Sequence, residues 1–128
     1  MMPSPLMIRA ALVLLTCPFW ASALVKAADL VGTAAEVAAL GLPLPLPTAL
    51  ATIAVQGGAS ICLILGVRPV WAAASPILFT LAASFLAHPF WALPPAAFLL
   101  NFAAFTANLG LVGGLLLAAR LPRIKERS

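Results

Sequence analysis

Four runs of apolar residues, each roughly the 20 residues that a bilayer-crossing helix needs, take up most of this chain. Inside a bilayer, a helix is one of the few structures that satisfy all of their own backbone polar groups. Hydrophobic residues make up 64% of the 128 residues and charged residues only 8%, which leaves too little polar surface for a soluble domain. The sequence therefore predicts an all-α integral membrane protein embedded in a lipid bilayer.

Short connectors join the last three of these runs, so neighbouring helices are expected to run antiparallel. The prediction is a single membrane domain, residues 1–128, folded as a transmembrane up-down four-helix bundle. The predicted spans lie at about 6–25, 48–66, 70–87 and 96–119, and a basic tail follows at 120–128.

Basic residues gather at one end of such a bundle. The N-terminus, the 67–69 turn and the C-terminal tail fall on one side, and only Lys26 falls on the other. Because positive charge is retained on the cytoplasmic side, both termini are predicted to be cytoplasmic. The tail is interpreted as an anchor to anionic lipid and not as a nucleic-acid-binding segment. The basic side carries Arg9, Arg68, Arg120, Arg123, Lys125 and Arg127.

The first run also has features of a cleaved signal peptide, namely Arg9, an apolar stretch and "ASA" at 21–23. The charge bias does not separate the two interpretations, because Arg68 and the tail share a side in either case. Cleavage would leave the helical pattern that follows Lys26 as a loose N-terminal tail. We therefore expect the first span to be retained.

The only charges between Arg9 and Arg68 are Lys26, Asp29 and Glu36, and they come soon after the first span. Residues 29–40 have an amphipathic pattern, in which Asp29, Thr33 and Glu36 fall on one helical face. The segment is predicted to be a short helix at the membrane surface, with Lys26 reaching that surface and pairing with Asp29. These charges either solvate the helix or form the rim of a pocket.

Polar residues within the other spans define a candidate pocket. Asn101 and Asn108 share a helix face with Phe98 and Phe105. Aromatic rings can hold a flat ligand such as a quinone head group, and amides can hydrogen-bond its carbonyls. The alternative is that the amides only join helices to one another. The candidate pocket comprises Lys26, Asp29, Glu36, Gln56, His88, Asn101 and Asn108, with Phe98 and Phe105 as its wall.

His88, the single histidine, ends the third span just before Phe90 and Trp91. It is a candidate for proton transfer, or else part of an aromatic interfacial belt. One histidine and two separated cysteines, Cys17 and Cys62, do not supply a metal site. The sequence has no phosphate-binding glycine loop and no nucleophile motif. The chain is therefore not expected to be catalytic on its own.

Five short motifs follow one another along the chain, and their order and spacing resemble those of one family. The motifs are "ASALVKAAD" at 21–29, "GTAAEVAALGLPLP" at 32–45, "QGGASICLILG" at 56–66, "HPFW" at 88–91 and "NFAAFTANLGLVGG" at 101–114. Together they resemble the DoxX family of small bacterial and archaeal membrane proteins. The resemblance implies a multi-pass protein of the bacterial inner (plasma) membrane.

Some DoxX relatives are subunits of a thiosulfate:quinone oxidoreductase, and others are linked to defence against oxidants, thiols or quinone-like compounds. The resemblance therefore implies an accessory subunit or a quinone-binding protein with a membrane or periplasmic redox partner. It does not determine the oligomeric state. Two positions depart from the family pattern. Gln56 stands where members often carry glutamate, and Ala107 stands where many carry lysine. The resemblance does not extend to an embedded charge pair at these positions.

The alternative function is a small four-span transporter of the multidrug-resistance type. Such transporters couple protons to drug export through a carboxylate in the first span, and the predicted first span has none. Some of them also insert with little charge bias, whereas the bias here is strong. The sequence therefore favours the redox-linked function.

The charge bias makes a topological prediction. A cytoplasmic reporter fused after residue 128 should be active, and a periplasmic reporter inserted within 89–95 should be active, because the basic residues hold their end of the bundle in the cytoplasm. A C-terminal fusion that faces outward would contradict the predicted topology.

Overall fold

The computed structural model describes residues 3–120, and over this range the chain is helical without any β-strand. Four of its helices are long and apolar enough to cross a membrane, which confirms the predicted transmembrane all-α fold class. A shorter helix follows the first of them, and a 3₁₀ turn precedes the last. The helices are α1 (Pro5–Ala28), α2 (Leu30–Ala39), α3 (Pro45–Leu65), α4 (Pro69–Ala87) and α5 (Pro95–Ala119), and the 3₁₀ turn is Phe90–Ala92.

Each long helix begins at a proline. Proline suits the first helical position because its φ is preset and the amide it lacks would have no partner there. The sequence prediction started the second span at residue 48 and treated "GLPLPLP" as a helix breaker. That start is three residues late, since α3 begins inside this segment and takes both Pro45 and Pro47 into its first turn.

The long helices pack in the up-down order that short connectors predict. α1 packs along α3, α3 along α4 and α4 along α5, whereas α1 and α5 touch over a short length only. Gly114 forms part of that last contact, because a Cβ added there would lie 2.7 Å from Cδ1 of Leu15. α2 lies against α3.

An apolar core fills the end of the bundle where α1 begins and α5 ends. It draws on all four long helices, and α1 contributes three of its members. Arg9, Arg68 and Arg120 are exposed at the same end, while Arg123, Lys125 and Arg127 lie outside the described residues. Buried polar side chains, among them Gln56, Thr80 and Ser84, lie from the middle of the bundle towards the other end. The core residues are Ile8, Leu12, Phe19, Leu63, Ala72, Ala73, Leu115 and Ala118.

Two of the charged side chains after the first span form hydrogen bonds with residues close to them in the sequence. Asp29 is the N-cap of α2, and its Oδ1 accepts a hydrogen bond from the Gly32 amide at 2.9 Å. The predicted pairing of Lys26 with Asp29 is replaced by a hydrogen bond from Lys26 Nζ to Ser22 Oγ. A capping aspartate satisfies one of the free amides at a helix start, so this carboxylate has a structural role.

The predicted polar face of α2 is wrong. Thr33 is buried and donates to the backbone carbonyl of Asp29 at 2.8 Å, while Glu36 is exposed and Val31 is 84% exposed. The cause is the packing of α2 against α3, which buries the face that carries Thr33 and Val37.

The cap makes a prediction about stability. Asp29→Ala should lower the free energy of unfolding by about 1 kcal/mol, whereas Asp29→Asn should leave it nearly unchanged because the amide oxygen still caps Gly32. Unfolding of the purified protein in mixed detergent micelles measures both variants. Equal destabilisation by Asn and Ala would show that the negative charge matters more than the cap.

Candidate functional site

A cavity of about 260 Å³ lies in the polar half of the bundle, where α1, α3, α4 and α5 converge. We call it the polar cavity. Its walls combine apolar side chains with hydroxyl, amide and imidazole groups, which is the usual composition of a small-molecule site. The lining residues are Pro18, Phe19, Ser22, Gln56, Phe79, Thr80, Ala83, His88, Asn108 and Leu111.

Two polar atoms of lining residues have no hydrogen-bond partner within residues 3–120. They are Oε1 of Gln56 and Oγ1 of Thr80, and each residue is only 4% exposed. An unpaired buried polar group costs about 1–3 kcal/mol, which is why such groups are rare. Gln56 and Thr80 come from different helices, α3 and α4, yet both line the polar cavity.

His88 is held in place by α5. Its Nδ1 lies 3.0 Å from Oδ1 of Asn101, and Nδ2 of Asn101 donates to the carbonyl of Ala97 at 2.9 Å. The three residues joined by these hydrogen bonds lie at the end of the bundle away from the apolar core. The contact joins α4 to α5 and fixes the plane of the imidazole ring beside the polar cavity.

Asn108 joins the same two helices further down. Its Nδ2 donates to Oγ of Ser84 at 3.0 Å, and that hydroxyl in turn donates to the carbonyl of Thr80 at 2.7 Å. Asn108 therefore has both of the roles that the sequence left open, since it joins helices and also lines the polar cavity.

Lys26 and Glu36 lie beside a second cavity of about 340 Å³, between α2 and the adjoining ends of α3 and α4. We call it the α2 groove. Phe79 and Ala83 line both the α2 groove and the polar cavity, so these two side chains separate the spaces. Lys26 also reaches the polar cavity indirectly through its hydrogen bond to Ser22.

Phe98 and Phe105, the predicted wall, belong to an aromatic cluster on α4, α5 and the 3₁₀ turn. Phe90 lies at its centre, with its ring centroid 5.6 Å from that of Phe98 and 5.3 Å from that of Phe105. Neither Phe98 nor Phe105 is among the residues that line the polar cavity. The rings hold the turn against α5, and edge-to-face pairs of this kind are favourable.

The structure thus brings together part of the predicted set. Gln56, His88 and Asn108 share the polar cavity, and Asn101 touches it through His88. Asp29 caps a helix, and Glu36 stays at the α2 groove. Sequence reasoning missed Thr80, Ser22 and Phe79. No sequence signal distinguished Thr80, because Ser75, Thr80 and Ser84 all lie in the same apolar span.

Within residues 3–120, no three histidine, cysteine, aspartate or glutamate side chains lie close enough to share a metal ion. The polar groups of the cavity are hydroxyls, amides and one imidazole, and none of these is a carboxylate or a thiolate. The arrangement can therefore accept and donate hydrogen bonds to a small uncharged molecule.

The sequence model of the DoxX family matches residues 4–89 of the chain. The matched region extends from the start of α1 to one residue past His88, so it includes Gln56 and Thr80. No protein with a curated description and no solved structure shows significant similarity to the chain.

The link between Asn108 and Ser84 can be measured with a double-mutant cycle. Asn108→Ala and Ser84→Ala should show a coupling energy of about 0.6 kcal/mol, the average for side-chain hydrogen bonds between membrane helices. The same detergent unfolding assay applies. Thr106→Val is the matched control for α5, because the Thr106 hydroxyl bonds only to its own helix, and it should be additive with Ser84→Ala. A coupling of zero for Asn108 would contradict the observed contact.

Proposed function

The chain belongs to the DoxX family, and from that premise we propose that its polar cavity binds a small, flat, weakly polar ligand such as a quinone head group. The protein would serve membrane redox or oxidative-stress processes as a non-catalytic or accessory component, alongside a membrane or periplasmic redox partner. The observation that carries this proposal is the pair of unpartnered buried atoms, Gln56 Oε1 and Thr80 Oγ1, at one cavity.

The chemistry of the lining supports a ligand of this kind. The hydroxyls of Ser22 and Thr80 can donate to a carbonyl oxygen, and the amide oxygen of Gln56 can accept from a hydroxyl. Phe19 and Phe79 supply flat apolar surface on α1 and α4. A ligand bound there would give Gln56 and Thr80 the partners that the protein does not provide.

The size and position of the cavity also support the proposal. The cavity volume of about 260 Å³ is slightly smaller than the roughly 300–1,000 Å³ of sites for drug-sized ligands. The cavity therefore suits a ligand with a single ring. Pro18 at its edge is exposed on the flank of α1, which offers a way in from the hydrocarbon. With the basic end in the cytoplasm, the polar cavity would lie in the periplasmic half of a bacterial inner membrane.

Binding can be measured with duroquinone, whose fully methylated ring cannot add the thiols of Cys17 or Cys62. The protein would be reconstituted in nanodiscs, and bound ligand would be counted by equilibrium dialysis against protein-free nanodiscs. Thr80→Val should weaken binding about tenfold, because the Thr80 hydroxyl can donate to a duroquinone carbonyl and one buried hydrogen bond would be lost. It should not lower the free energy of unfolding, since the hydroxyl that it removes is buried and has no partner within residues 3–120.

Thr106→Val is again the matched control, because Thr106 is exposed on α5 outside the polar cavity and the change should leave binding as in the wild type. Uptake by wild-type nanodiscs no greater than by protein-free ones would refute the proposed function. Equal binding by the wild type and Thr80→Val would place the ligand elsewhere.

A further inference from the structure

We infer that the polar cavity prefers the reduced, hydroxyl-bearing form of its ring ligand over the oxidised, carbonyl-bearing form, and that Asn101 and His88 set this preference. The inference rests on the proposed function, because it concerns the same cavity and the same ligand class. It depends on the direction of the hydrogen bonds around His88, which the structure determines from the protein side.

The hydrogen bonds of Asn101 assign the proton on His88. The carbonyl of Ala97 accepts only, so the Asn101 atom that faces it must be the donor Nδ2. The other amide atom, Oδ1, therefore faces Nδ1 of His88 at 3.0 Å. An oxygen acceptor requires that this nitrogen carries the hydrogen. In the neutral ring, Nε2 is then unprotonated and is an acceptor.

A second acceptor at the same cavity is Gln56 Oε1, which is buried and has no partner within residues 3–120. An amide oxygen cannot donate, so a ligand carbonyl placed against it would leave both oxygens unsatisfied. A ligand hydroxyl satisfies Gln56 Oε1 or His88 Nε2 directly. Two hydroxyls on one ring, as in a hydroquinone, match the two acceptors.

The remaining hydroxyls of the lining do not oppose this preference. The Thr80 hydroxyl has no partner within residues 3–120, and the Ser22 hydroxyl accepts from Lys26 and keeps its own proton. Hydroxyls rotate and can act as donor or acceptor, and the Gln56 amide carries both a donor and an acceptor, so these groups can serve either form of the ligand. Discrimination therefore comes from His88, whose direction Asn101 fixes.

The direct test compares duroquinone with durohydroquinone under anaerobic conditions in the nanodisc assay. The wild type should bind the hydroquinone about tenfold or more tightly, since the quinone would leave a buried acceptor unpaired. His88→Phe should bring the ratio towards one by weakening hydroquinone binding, with quinone binding nearly unchanged. Thr106→Val should keep the wild-type ratio.

Asn101 is a positioning residue in this account, and nitrogen NMR tests its role. Because His88 is the single histidine of the chain, [¹⁵N]histidine labelling of protein purified without a histidine tag reports on this ring alone. The wild type should show the Nδ1-protonated tautomer, and durohydroquinone should shift the Nε2 resonance while duroquinone should not. Asn101→Leu should lose the fixed tautomer and, with it, most of the hydroquinone preference.

The outcomes separate this inference from the proposed function. Binding of both forms with equal affinity, or tighter binding of the quinone, would overturn the preference and leave the proposed function standing. Binding of neither form would overturn both. An Nε2-protonated tautomer in the wild type would overturn the role assigned to Asn101, even if His88→Phe failed to fold and gave no binding data.

Discussion

Every polar group in a membrane-spanning helix must find its partner inside the protein, because hydrocarbon offers none. Most side-chain hydroxyls in this bundle meet that requirement by bonding to a carbonyl one turn back in their own helix. The residues that do so include Thr16, Thr52, Ser60, Ser75, Ser84 and Thr106.

Thr80, which lines the polar cavity, departs from this pattern. The carbonyl one turn before it belongs to Pro76, yet the Thr80 hydroxyl makes no bond to it or to any other described atom. Gln56, on a different helix, also has a buried oxygen without a hydrogen-bond partner among the described residues. Polar residues in a membrane span do not by themselves indicate a ligand, because they can bond to one another, as Asn108 does to Ser84. Two unpaired buried atoms at one cavity are a stronger indication.

Polar and apolar side chains are distributed unequally along the length of the bundle. Its basic end is filled by Leu63, Leu115 and their apolar neighbours, which have no polar side-chain groups to satisfy. The other end contains the polar cavity, the α2 groove and the aromatic cluster around Phe90. The two ends therefore differ in the polarity of their buried side chains.

The fold was predictable because the length and order of apolar runs nearly determine a helical membrane bundle. The first residues of the helices were less predictable, because proline can either interrupt a helix or begin one. Pro45 begins α3. For the site, Gln56, His88 and Asn108 were predictable as polar residues in apolar spans. Thr80 was not, because a threonine usually satisfies itself within its own helix and only the structure shows that this one does not.

Gln56 stands at the position where DoxX family members often carry glutamate. A carboxylate at Gln56 would be costly in the bilayer unless it were paired or protonated, whereas the amide found here needs no counter-charge. Ala107, the other departure, is exposed on α5 and does not line the polar cavity. The lining of the cavity therefore carries no charge whenever His88 is neutral, so the inferred ligand preference would rest on the direction of hydrogen bonds and not on charge. A carboxylate can change from acceptor to donor by taking up a proton, but Gln56 Oε1 cannot. The imidazole of His88 is thus the one group in the lining that can change its role with protonation.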